Sequence, residues 1–245
     1  MKCLLIAPVF TLLSILTYGQ IPKTIFQGDS QVEYKAGDFS SAKRTIAQSA
    51  GVYHFGESEG EFDFIILPYK TGLVVQISSH TWGKNPQTGT DTWLREFTTF
   101  NKVTVQGNIF NFGKYKGVFA VFKGNIKKAV LLNGDPSSEL VYGKDTAEAG
   151  HYETALATYF NGKKYPDVSL KIIDEQYLAG KTVQQLKYMR NEVFAMYGLI
   201  FQNPATAALF RKRYLPWRKD VSMCLTDIEK HNLEIIKAYE RRLNK

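Results

Sequence analysis

A chain of 245 residues that is 44% hydrophobic is long enough for one large domain or two small ones. Its two cysteines, Cys3 and Cys224, include one inside an N-terminal leader, which excludes an intramolecular disulfide in the mature protein, and no segment beyond the leader approaches the roughly 18 uninterrupted apolar residues of a transmembrane helix. The formal net charge of +8 is carried by one end, because residues 176–245 hold 13 basic against 6 acidic side chains.

Lys2, a largely apolar stretch from Cys3 to Leu16, and then Thr17-Tyr18-Gly19 have the form of an export signal over residues 1–19, with small residues at the two positions a signal peptidase inspects. Cleavage there leaves Gln20 first and Cys224 as the lone thiol, which is expected to be buried beside Met223 and Leu225 as a small apolar residue. Residues 20–50 form a polar extension with a short helix over Ser40–Gln48.

From Gly51 the hydrophobic period becomes two. Runs rich in Val, Ile, Phe and Tyr at Val52–Phe55, Phe62–Leu67, Leu73–Ser78, Leu94–Phe100, Val103–Gln106, Ile109–Phe112, Val118–Phe122 and Ala129–Leu132 are punctuated by Gly, Pro or Asn. About eight strands at this spacing, with hairpin signals such as Gln106-Gly107-Asn108, predict an antiparallel β-sandwich or small β-barrel over residues 51–134. Its interior or one open face is the place for a ligand.

Three groups of residues here invite a chemical reading. Gly56-Glu-Ser-Glu-Gly60 fits the pattern of a hydrolase nucleophile elbow, but a strand follows it where the elbow needs a helix, so a glycine-bearing turn is expected. Glu57, Glu59, Glu61 and Asp63 alternate, which on one strand would align four carboxylates on one face; a solvated face is the simpler expectation, and one strand supplies neither a metal cage nor a glycosidase pair. The segment from Ser79 to Trp93 reads as a long polar loop with Trp82 and Trp93 near its ends, where a flat indole can meet a sugar or a protein. His54 and His80 have no partners at zinc spacing. Neither a metal nor a cofactor is implied.

Residues 135–175 read as a connector with short helices, including His151–Phe160, and residues 176–245 as a small helical bundle, for an α+β chain overall. Thr182 with Gln185 and Thr226 with Glu229 are capping boxes, Asn203-Pro204 starts a helix between them, and Gly198 ends the first as a left-handed cap. Asn232 is the one polar residue on the apolar stripe of the last helix and needs partners, which Arg190 and Glu192 could supply. Arg190, Asn191, Glu192, Glu229 and Asn232 are therefore expected to form an internal structural network. Arg211, Lys212, Arg213, Arg218 and Lys219, interleaved with aromatics, form a candidate anion-binding face.

Several of these residues fall into a known frame. Arg190-Asn191-Glu192, Phe194-Ala-Met-Tyr-Gly198, Phe201, Trp217, Leu225, Glu229, Asn232, Ile235 and Glu240 together resemble the YARHG domain, over roughly residues 169–241, with Met196 and Tyr197 where the family has Arg and His. The resemblance implies a small helical module of exported bacterial proteins and assigns no reaction. Together with the export signal it turns the basic end away from nucleic acid and towards an envelope polymer or an extracellular protein. The expected function is that of an exported, non-enzymatic binding or surface protein, secreted or periplasmic; the alternative is an envelope polysaccharide or peptidoglycan hydrolase using Glu57, Glu59 or Glu61.

Overall fold

The computed structural model describes residues 20–28, 33–42, 45–125 and 127–244, and the export signal expected at residues 1–19 lies outside them. Three short strands come first, β1 (Thr24–Phe26), β2 (Glu33–Lys35) and β3 (Phe39–Ser41), followed by a one-turn helix α1 (Ile46–Ser49). A meander follows: β4 (Gly51–Phe55), β5 (Phe62–Tyr69), β6 (Gly72–Lys84), β7 (Asp91–Gln106), β8 (Ile109–Phe112), β9 (Tyr115–Phe122) and β10 (Lys127–Leu132). After the small pair β11 (Gly134–Asp135) and β12 (Leu140–Val141), strand β13 (Thr146–Thr154) hydrogen-bonds to both β10 and β4. That double pairing closes an eight-stranded antiparallel barrel.

A barrel of eight strands has an interior just wide enough for side chains to fill. Alternation along each strand sends Phe55, Phe62, Phe64, Phe110, Phe112 and Phe119 inwards, together with Tyr53, Tyr115, Ile66 and Val130. Phe55 stacks on Phe62 at 4.8 Å between centroids and Phe110 on Phe119 at 4.6 Å. Where β9 and β13 pass these rings they carry glycine: a Cβ on Gly117 would lie 2.0 Å from the Phe110 ring, and one on Gly150 would lie 1.9 Å from the Phe55 ring. The interior is a packed core, so a ligand must be met outside it.

Two coverings lie on the outer wall. β1 runs parallel to β13, β2 pairs with β1, and β3 pairs with β9, which lays Ile25, Tyr34 and Phe39 over Val118, Ala120, Ala129 and Leu131. The C-terminal helices cover the wall of β4, β5 and β6, where Phe160 and Ile228 pack on Val52, Ile65, Leu67 and Val74. These helices are α2 (Leu156–Tyr159), α3 (Asp167–Leu170), α4 (Glu175–Leu178), α5 (Val183–Met196), α6 (Pro204–Phe210) and α7 (Asp227–Leu243). Thr182 with Gln185 and Thr226 with Glu229 make reciprocal caps, Asn203 caps α6 with Pro204 at its first position, and Gly198 takes φ +80° beyond α5.

Four boundaries differ from expectation. Residues 20–50 are not a free extension but contribute three strands, and the helix placed at Ser40–Gln48 starts only at Ile46, because Ser40 and Ser41 pair with β9. The barrel does not end at residue 134. His151–Thr154, expected as helix, belongs to the closing strand β13, and the connector thus supplies one of the eight staves. The loop expected from Ser79 to Trp93 is instead the far end of the hairpin of β6 and β7, paired down to Lys84 and Asp91, since its alternating outward residues can be polar without breaking the ladder.

Candidate functional site

The register of β6 and β7 sets Trp82 directly opposite Trp93 and His80 directly opposite Arg95. Residues 80 and 82 share a face, as do 93 and 95, so these four side chains form one outward patch beyond the helical covering. The indoles stack at 4.6 Å with 27° between planes, and they are 56% and 38% exposed. His80 meets Trp93 edge to face at 6.1 Å. A cavity of about 380 Å³ opens beside them, lined by Trp93, His80, Ser58, Glu59 and Glu61.

The turn between β4 and β5 supplies the acidic wall. Gly56 adopts φ +82° there, and β5 begins only at Phe62, so Ser58 sits in a hairpin turn with no helix behind it. The four alternating carboxylates consequently do not share a strand face. Glu57 accepts a hydrogen bond from Gln27 Nε2 at 2.8 Å, Glu61 lies 3.6 Å from His54 Nε2, and Asp63 shares a 3.2 Å hydrogen bond with His54 Nδ1. Arg95 is held over the same strip: its Nε donates to Ser78 Oγ at 2.8 Å, its Nη2 donates to the Tyr159 hydroxyl on α2, and it lies 4.0 Å from Asp63. Among the described residues no group of three or more His, Cys, Asp or Glu side chains is placed to hold a metal ion.

The two histidines of this strip diverge. The hydrogen bond to Asp63 raises the pKa of His54 above 6.5, with Asp63 and Glu61 charges adding to it, whereas burial and the Arg95 charge lower that of His80. The site thus holds the imidazole beside Trp93 towards its neutral form and the one behind the carboxylates towards its charged form. The stabilisation from His54 is complete below pH 6.5 and is lost as pH rises through its raised folded-state pKa. Replacing His54 with Asn should therefore flatten the decline of the thermal midpoint above pH 6.5; midpoints at pH 6, 7 and 8 that fall in parallel for both proteins would contradict this.

Behind the patch, a buried polar seam joins the helices to the barrel. Gln76 Nε2 on β6 lies 2.9 Å from Thr99 Oγ1, 2.9 Å from the Tyr197 hydroxyl and 3.0 Å from the Cys224 carbonyl, three acceptors shared by its two N–H groups. Tyr197 in turn donates to Glu229 Oε2 at 2.7 Å, and Ser169 donates to Glu229 Oε1 at 2.5 Å. Lys163 Nζ donates to Ser169 Oγ at 2.5 Å and stands 3.9 Å from Glu229. Glu192 accepts from the backbone of Lys164 and Tyr165 at 2.8 and 2.9 Å, and Asn232 accepts from Ile173 N–H while donating to the carbonyls of Val168 and Lys171. Arg190 turns away from Asn232 to Glu240, 3.3 Å distant, and to Asn191. The five polar residues therefore do not bond to one another as a cluster; Glu192, Glu229 and Asn232 instead each pin a part of the 163–173 segment onto α5 and α7.

The C-terminal helices also match a known family. Residues 161–241 match the YARHG domain. Neither the curated proteins nor the solved structures gave a match to the chain. In this YARHG domain the aromatic, Ala and Gly of the naming pentapeptide are Phe194, Ala195 and Gly198, and the residue at the His position is Tyr197, whose hydroxyl carries the bond to Glu229. Met196, at the Arg position, packs between the helical core and the barrel wall.

The five basic residues of the YARHG domain proposed for anions are differently engaged. Arg218 stacks its guanidinium 3.9 Å from the Trp217 ring centroid and reaches Glu96 at 3.8 Å, and Arg213 reaches Glu192 at 3.8 Å. Arg211, Lys212 and Lys219 are exposed. Sequence reasoning weighs Ser58 as a nucleophile and His80 as a zinc ligand, sets both aside, and does not reach Arg95; drawing the hairpin with Trp82 opposite Trp93 places His80 and Arg95 beside them.

Proposed function

We propose that this protein is an exported, non-enzymatic glycan-binding protein of the bacterial envelope, with the Trp82 and Trp93 pair as its sugar platform. The observation that carries this reading is the exposed, stacked tryptophan pair bordering a cavity whose remaining wall is made of hydroxyl, carboxylate and imidazole groups. An indole face suits the apolar face of a pyranose ring, and Ser58, Glu59, Glu61 and His80 can bond its hydroxyls. The acidic wall favours neutral or amino sugars over anionic ones. The YARHG domain, a typically extracellular module, supports the address, and no described helix is long and apolar enough to cross a membrane.

The test is titration of the protein with soluble fragments of neutral and amino-sugar envelope polysaccharides, followed by tryptophan fluorescence and calorimetry. Trp93→Ala should weaken binding about tenfold or more, equivalent to about 1.4 kcal/mol, with only a small drop in the thermal midpoint, since what it loses in the folded protein is one cross-strand aromatic pair at the surface. Equal affinity in wild type and Trp93→Ala would sink the reading. Release of reducing ends during the titration would replace it with a hydrolase.

A further inference from the structure

A second cavity, of about 270 Å³, lies between the tip of the hairpin of β6 and β7 and the YARHG domain. Pro86 and Gln87 of the hairpin form one side, and the other is built from the chain after α5, from α6 and from the turn that follows it. Its walls are apolar: Leu199, Phe201, Phe210 and Pro216 line it, and Phe201 stacks on Phe210 at 5.6 Å. Three residues with polar side chains, Gln87, Arg211 and Tyr214, also line it, and no acidic residue does.

The neighbouring cation Arg213 is turned towards Glu192, whereas among the described residues Arg211 makes no ion pair. Burial, with the nearby Glu192 charge, pushes the Tyr214 pKa to about 12, so its hydroxyl remains a donor at neutral pH. An apolar cleft bordered by a cation and a phenol, with no carboxylate in its lining, is complementary to an acid that carries an apolar tail. We propose that this cavity binds a small amphiphilic carboxylate, with the tail among Leu199, Phe201, Phe210 and Pro216 and the acid group on Arg211. The site is separate from the tryptophan platform and does not depend on it.

The experiment uses the full chain titrated with decanoate and with decanol, both below their aggregation limits, and reads affinity by calorimetry. Decanoate should bind about tenfold tighter than decanol, the scale of one charge-assisted bond. Arg211→Gln, at an exposed position, should erase that preference, and Ala207→Phe should block both probes by filling the cavity, while Trp93→Ala should change neither. Equal binding of the two probes, no decanoate binding to the wild type, or decanoate affinity unaltered in Arg211→Gln or in Ala207→Phe would each overturn the proposal.

Discussion

Glu229→Ala should destabilise the protein by about 3 to 5 kcal/mol, the scale for removing one partner of a buried charge pair. Glu229 is fully buried and takes hydrogen bonds from Tyr197, Ser169 and the backbone N–H of Thr226, the last at 3.1 Å. Its removal leaves Lys163, itself buried, with the Ser169 hydroxyl and the face of the Phe160 ring as close partners for an ammonium that burial already pushes towards neutrality. The counterpart Lys163→Met should be milder, because Glu229 keeps its hydroxyl donors, and Lys163→Met in the Glu229→Ala background should restore part of the loss. Since Lys163 has a folded-state pKa below its unfolded value of 10.5, stability should rise with pH from that lowered value towards 10.5, and Lys163→Met should remove this slope. Urea unfolding of the four proteins measures all of this; a Glu229→Ala loss below about 1 kcal/mol, the worth of one ordinary hydrogen bond, would mean that the seam is not tight.

The second large effect is expected inside the barrel. Gly150→Ala adds a single methyl 1.9 Å from the Phe55 ring, which cannot retreat because it is stacked on Phe62 and tilted against Phe64. Overpacking of this kind costs about 1 to 3 kcal/mol, and the rigid ring places it at the upper end. Phe55→Leu alone should also destabilise, by opening a cavity, yet the double variant should be more stable than the sum of the two losses predicts. Strict additivity in thermal unfolding would show that the methyl and the ring do not collide.

That same glycine explains what sequence alone could not disclose. Thr146-Ala-Glu-Ala-Gly-His-Tyr-Glu-Thr154 is poor in the β-branched residues that mark a strand, because it passes beneath large aromatic rings and must stay small where they lie. The meander from Val52 to Leu132 was legible because its inward positions are large and regularly alternating. The helical end was legible for a different reason: its caps are local, so Thr182 with Gln185 and Thr226 with Glu229 announce themselves within four residues. The more distant partners of the buried polar residues were not, since Glu192 and Asn232 meet backbone groups of residues 164–173 and Glu229 meets a serine 60 residues away, which no periodicity points to. Of the candidate site, the tryptophans could be read directly, but the cavity beside them arises from the meeting of a turn and a hairpin that lie apart in sequence.

Strand β13 pairs with β4, about a hundred residues earlier, and with β10. Until it docks, the meander is an open sheet with two unsatisfied edges and a face of exposed phenylalanines, so closing the barrel also removes a hazard of self-association. Contacts of such sequence separation form slowly. A chain truncated before Thr146 should remain permanently in that sticky condition, whereas one that includes β13 has the means to seal itself.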